Sequence, residues 1–139
     1  MKIQLATTPE EIINCFDIIS ELRPHLSLDD FLTLINRMQQ NHGYELVYLD
    51  DNGIKAVAGI RIAEWLYTGK YLEIDDLITT ASERSKGYGA TLFDWVVTYA
   101  REGHCNQLRL VSGVQRTDAH RFYLNKGMKF EAKYFSLNL

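Results

Sequence analysis

The spacing of apolar positions changes along the chain, and each change marks an element. Residues 2 to 6 form a short mixed start that reads as a first strand. Thr8-Pro9-Glu10-Glu11 then opens a helix, with an N-cap hydroxyl, a proline at the first helical position and a capping-box glutamate three residues after the threonine. Ile12, Phe16, Ile19 and Leu22 recur at helical spacing until Pro24 stops them. Ser27-Leu28-Asp29-Asp30 repeats the start signal, and Phe31, Leu34, Ile35 and Met38 share one face of a second helix running to about Gln40. Arg23-Pro24-His25-Leu26 is the loop between them.

From Tyr44 the period shortens. Tyr44 to Leu49 reads as a strand, Asp51-Asn52-Gly53 as a hairpin turn, and Ile54 to Glu64 as the returning strand, nearly continuous in apolar residues and therefore central. Thr68-Gly69-Lys70 turns the chain into a third antiparallel strand, Tyr71 to Thr79. Leu92, Phe93, Val96, Val97 and Ala100 then return to helical spacing, ended by Gly103. Gln107 to Ser112 is the next strand, Thr117-Asp118 starts a short helix stopped by Gly127, and Phe130 to Leu137 is expected as a last strand. This order predicts a mixed α/β (α+β) fold with a mostly antiparallel sheet flanked by helices.

Size and charge narrow the function. A chain of 139 residues is long enough for one domain, residues 1–139, with its own core. With 46% hydrophobic and 24% charged residues it is expected to be soluble, and a net charge of -3 gives no general attraction to nucleic acid or membrane. Any positive site must be local. No apolar run approaches the ~20 residues of a membrane span. Cys15 and Cys105 form no C-x-x-C, and Met1 to Ala6 is too short and mixed for a secretory signal, which points to reduced thiols in the cytoplasm. His25, His42, His104 and His120 show no metal-ligand spacing with the cysteines, so no metal is expected.

One local positive site stands out. Arg84-Ser85-Lys86-Gly87-Tyr88-Gly89-Ala90 lies between a strand and a helix, where the first backbone N–H groups of the helix lack carbonyl partners and point one way. Gly87 and Gly89 let a ligand approach the main chain, and the helix dipole with Arg84 and Lys86 adds positive charge. A pyrophosphate suits such a cradle. The dinucleotide fingerprint is absent, because its third glycine would fall at Leu92, and the P-loop Gly-Lys-Ser/Thr is absent too.

The stretch resembles the Gln/Arg-x-x-Gly-x-Gly/Ala signature of the GNAT superfamily of acetyl-CoA-dependent N-acetyltransferases, with Arg84, Gly87 and Gly89 at its defined positions. Ala119-His120-Arg121-Phe122-Tyr123-Leu124-Asn125-Lys126-Gly127-Met128 resembles the family's Ala-x-x-Phe-Tyr-x-x-x-Gly-Phe segment, about thirty residues further on. The element order matches over nearly the whole chain. Arg116 stands where many members carry an asparagine, a pantetheine contact in those proteins, and Met128 replaces a phenylalanine.

The resemblance implies two central parallel strands splayed apart, Tyr71 to Thr79 and Gln107 to Ser112, with the pantetheine arm of acetyl-CoA between them. It implies that the backbone of Leu77, Ile78 and Thr79 pairs with the pantetheine amides and that Arg84, Ser85, Lys86, Gly87, Tyr88, Gly89 and Ala90 hold the pyrophosphate. It also implies direct transfer of acetyl to an amine of a small molecule or protein, with Tyr123 giving a proton to the departing thiolate. For the base, Glu73 coincides with the glutamate of histone-type members, while Asp75 and Asp76 coincide with acids of polyamine-type members; water remains a further choice. Alternation places Glu73 and Asp75 on one face of their strand unless a bulge intervenes. Arg23, His25, Trp65 and Tyr67 fall in loops that border the acceptor pocket in the family. Two rival readings are a non-catalytic acyl-CoA sensor and an interaction subunit whose last strand, Phe130 to Leu137, pairs two copies into a homodimer.

Overall fold

The start signals form as the spacing predicts. A computed structural model describes all 139 residues, and the chain folds into two compact units, residues 1–109 and residues 110–139. In the first unit β1 (Lys2–Leu5) leads into α1 (Pro9–Leu22), where Thr8 accepts from the Glu11 N–H and Glu11 reaches back to the Thr8 N–H. This reciprocal cap satisfies donors that the first turn leaves open, a contribution of about 1 kcal/mol. At α2 (Leu28–His42) the Ser27 hydroxyl accepts from the Asp30 N–H, a one-way cap, and Gly43, with φ of 64°, closes the helix in the left-handed conformation.

β2 (Tyr44–Asp50), β3 (Ile54–Trp65) and β4 (Gly69–Thr79) follow as an antiparallel meander. Next come α3 (Tyr88–Glu102) and β5 (Gln107–Leu110), giving the sheet order β1-β2-β3-β4-β5. Thr68 lies against Gln107 and Glu73 against Arg109, so the numbering rises together and β5 runs parallel to β4. Cross-strand register sorts the faces. Tyr44, Leu46, Tyr48, Val57 and Ile78 point to one face and pack with Ile18, Ile19, Phe31 and Ile35 of α1 and α2. Val47, Leu49, Ala56, Ala58, Ile60 and Leu72 alternate to the opposite face. There α3 contributes buried Leu92, Phe93, Val96 and Ala100, its end at Gly103 lying against Ile62.

The second unit, residues 110–139, carries α4 (Thr117–Asn125). Two strand expectations are corrected here. β5 ends at Leu110 rather than Ser112, because the chain enters a turn in which the Arg116 N–H donates to the Gly113 carbonyl and the Gln115 side chain folds over Gly113. Residues 130–137 form no strand, which leaves β5 as an edge rather than an interior strand. Phe130, Tyr134, Phe135 and Leu137 are all exposed, with Tyr134 and Phe135 adjacent, so neither alternation nor a ladder partner fixes a pleat. Pairing of two copies through a preformed strand there loses its basis.

Candidate active site

β4 is interrupted at its middle. Gly59 of β3 is level with Asp76, but Ile60 is level with Ile74, so Asp75 is an extra residue and β4 carries a bulge. Simple alternation would send Asp76 to the face opposite Glu73. The bulge instead gathers Glu73, Asp75 and Asp76 on the α1 and α2 face, and each meets an arginine. Asp75 accepts a two-pronged bond from Arg61, 2.6 Å from Nε and 2.9 Å from a terminal nitrogen. Asp76 accepts from Arg23 Nε at 3.0 Å on one oxygen and from the Tyr44 hydroxyl at 2.7 Å on the other. Arg23 also donates to the Asp75 carbonyl at 3.3 Å, tying the end of α1 to the bulge.

Gly59 explains why the Tyr44 ring can lie there. A Cβ on Gly59 would stand 1.8 Å from the Tyr44 hydroxyl oxygen and 2.7 Å from Asp76. Burial first, and then the Asp76 charge, push the Tyr44 phenol well above its ordinary range, so it stays a donor.

The third pair differs. Glu73 is buried and accepts from Arg109 Nε at 2.5 Å through one oxygen only. The Arg109 guanidinium lies 4.0 Å from the centre of the Trp65 ring and 3.8 Å from that of Tyr71. Trp65 is itself held by its indole N–H donating to Thr68 at 2.5 Å.

Beyond the bulge β4 runs out toward the glycine turn. Leu77, Ile78 and Thr79 pair with Ala58, Val57 and Ala56 of β3. On the other side β5 is four residues long with Arg109 level with Glu73, so it ends before reaching Leu77. The turn is anchored by Glu21 of α1, which accepts from the Thr80 hydroxyl at 2.7 Å and the Ala81 N–H at 2.9 Å. Ser85 and Gly87 have φ of 67° and 85°, and Gly87 is the N-cap of α3. No side chain caps this helix and its first turn holds no acid, in contrast to α1 and α2. Arg84 is exposed and makes no ion pair, whereas Lys86 sits 2.6 Å from Glu83, which also meets Lys55 at 3.4 Å. Tyr88 points its hydroxyl to Asp51, 2.8 Å away. Gly89 packs so that a Cβ would be 3.1 Å from the Thr79 hydroxyl.

In the second unit Tyr123 lies on α4 with its ring edge-on to Phe122, centroids 5.5 Å apart. Burial raises the Tyr123 phenol above its ordinary range, against a smaller opposing effect of Arg116, so the group stays protonated. Arg121 pairs with Asp118 of its own helix.

The structure therefore brings Glu73, Asp75 and Asp76 together at one bulge and places Arg84 to Ala90 at an uncapped helix start. Arg61 and Arg109 join this cluster through Asp75 and Glu73, and the chain read alone does not single them out. Their signal is present, since each interrupts an apolar strand, in Ile60-Arg61-Ile62 and Leu108-Arg109-Leu110, beside a strand rich in acids.

The α+β fold, a five-stranded sheet flanked by helices, is the one found in solved acetyltransferases. The chain belongs to the acetyltransferase (GNAT) family, whose model matches residues 10–130 and so spans both units. It is 39% identical over 131 residues to an uncharacterised N-acetyltransferase of Bacillus subtilis strain 168, YhdJ, covering 93% of this chain and 92% of that one. A shorter match, 35% over 57 residues, joins 41% of this chain to 37% of an aminoalkylphosphonate N-acetyltransferase of Salmonella typhimurium LT2. The fold is shared with a ribosomal-protein-alanine N-acetyltransferase of Brucella melitensis biovar Abortus 2308, with a TM-score of 0.82, 14% identity and full coverage of both chains.

Proposed function

We propose that this single-domain protein transfers acetyl from acetyl-CoA to a primary amine, directly and within a ternary complex, in the cytoplasm. The observation that carries this is the uncapped, acid-free start of α3 behind a left-handed glycine, the one helix start in the first unit left without an internal anion. These residues fit acetyl-CoA. The backbone N–H groups around Tyr88, Gly89 and Ala90, with Arg84, Ser85 and Lys86, would hold its pyrophosphate. The backbone edge of Leu77, Ile78 and Thr79 that β5 does not reach would hold its pantetheine. Bound there, the coenzyme supplies an activated acetyl thioester. Fragmentary similarity to an enzyme named for aminoalkylphosphonates supports an amine as acceptor.

Proton handling falls to side chains. Both oxygens of Asp75 and both of Asp76 already accept bonds, while Glu73 keeps one oxygen without a partner. That supports Glu73 over Asp75 and Asp76 as the group that takes a proton from the amine, directly or through water. Tyr123, kept protonated by burial, is the donor to the departing sulfur. The test is release of CoA measured over a panel of amines. Amine-dependent turnover is expected, with Tyr123→Phe lowering kcat while acetyl-CoA affinity holds. Unchanged kcat removes Tyr123 from the mechanism. Tight acetyl-CoA binding without amine-dependent turnover would instead establish a sensor, the reading that the saturation of Asp75 and Asp76 by arginines favours.

A further inference from the structure

The three arginines at the bulge are not equivalent. Arg61 closes its fork on both oxygens of Asp75, and Arg23 spends Nε and a terminal nitrogen on Asp76 and on the Asp75 carbonyl. Arg109 gives Glu73 only its Nε. Its two terminal nitrogens make no bond within the protein, and neither is a buried unsatisfied atom, so that edge of the guanidinium faces solvent. The guanidinium is nonetheless seated in the corner formed by Trp65 and Tyr71, whose ring centres are 5.7 Å apart and whose planes meet at 60°. A guanidinium held rigid, already oriented, and with two parallel N–H donors open is a receptor for a flat or tetrahedral oxyanion.

We infer that Arg109 binds an anionic group on the acceptor, a carboxylate or a phosphonate, so that the substrate class is amino acids and aminoalkyl acids rather than simple amines or polyamines. This rests on the acetyltransferase reading and adds to it. Glu73 and Arg109 lie side by side, each with one open polar edge, an acceptor on Glu73 and donors on Arg109. An amine bearing its own anion matches both, the ammonium end toward Glu73 and the oxyanion on Arg109. The three acids, Glu73, Asp75 and Asp76, are neutralised pair by pair and offer no surplus negative charge to attract a polycation.

The experiment compares 4-aminobutanoate, 3-aminopropylphosphonate and butylamine, by CoA release and by calorimetric binding to the CoA-loaded protein. Wild type is expected to prefer one or both anionic amines by about tenfold or more in kcat/KM, mainly through KM. The carboxylate and phosphonate arms decide between the two oxyanions. Arg109→Gln is expected to abolish that preference, read as the ratio of kcat/KM for the anionic amine to that for butylamine within the same variant, and Arg109→Lys to restore part of it. Retained CoA binding and melting temperature show that the variants are folded. The inference is overturned if butylamine serves as well as the anionic amines, if the preference survives in Arg109→Gln, or if neither anionic amine binds. Anionic amines that bind through Arg109 without being acetylated would sustain Arg109 as the anion site and overturn the acetyltransferase reading on which the substrate class rests.

Discussion

The two ends of β4 solve opposite electrostatic problems. Before and at the bulge there are three carboxylates, and each is met by an arginine carried on another element, α1, β3 or β5. After it, the chain passes through Ser85 and Gly87 in left-handed conformations to a helix whose first donors meet no acid and no capping side chain. One end is satisfied largely from within, with only Glu73 and Arg109 keeping an open edge, and the other leaves its first helix donors without a side-chain acceptor. Polar groups satisfied internally add order to a fold, and those left unsatisfied at the surface are where a ligand gains most. The same strand thereby carries a rigid wall and an open cradle a few residues apart.

Breaking the wall is expected to have the largest effect. Gly59→Ala would drive a methyl into the Tyr44 hydroxyl and Asp76, and a loss of about 3 kcal/mol is expected, read as a lower midpoint in denaturant. A variant as stable as wild type would mean that the Tyr44 and Asp76 arrangement does not brace the bulge. In the cradle, Gly87→Ala meets no neighbour, so only the left-handed backbone resists it. Its cost is about 1 to 2 kcal/mol, with weaker acetyl-CoA binding.

Ala90→Asp sharpens the contrast because its two effects have opposite signs. An acid in the first turn of α3 complements the helix dipole, so stability is expected to rise by about 0.3 to 1 kcal/mol in thermal melts. In the proposed binding mode the same carboxylate would occupy the place of the coenzyme's anion, and acetyl-CoA affinity is expected to fall about tenfold or more. A loss of both stability and affinity would point to misfolding instead.

Glu11, which belongs to neither end, provides a reference for a satisfied carboxylate. Hydrogen bonds from Tyr48 first, and then Gln4, hold it down at about 2 from an ordinary 4.5. A depressed value in the fold means that its stabilisation is complete above pH ~4.5 and is lost as pH falls toward 2. Glu11→Gln is therefore expected to be less stable than wild type near neutrality, with the gap closing over that acid range. A gap independent of pH would contradict the assignment. The smallest effect is expected from Lys86→Ala, whose exposed pair with Glu83 is screened by solvent, so that thermal melts match wild type. Acetyl-CoA affinity should fall a few-fold if Lys86 turns from Glu83 to the phosphate, and not at all if it stays.

Much of this was legible in order. The capping box at Thr8, the turn at Asn52 and Gly53, and the glycine turn at residues 84 to 89 are local signals, and local chemistry fixes them. Glu73, Asp75 and Asp76 were visible as a cluster, but their common face was not, because a bulge depends on register with β3. Arg61 and Arg109 were missed for the same reason, since a charge inside an apolar run has meaning only beside its cross-strand neighbour. At the end of the chain the error ran the other way. Aromatic and aliphatic residues from Phe130 to Leu137 suggest a strand, yet a strand exists only where another offers its ladder.

The most direct measurement is a calorimetric titration of the protein with coenzyme A and, separately, with pantetheine, which lacks the diphosphate. If the N–H groups at the start of α3 grip that diphosphate, coenzyme A binds and pantetheine binds at least about a hundredfold more weakly. Equal affinity for the two, or no binding of coenzyme A, would contradict the account.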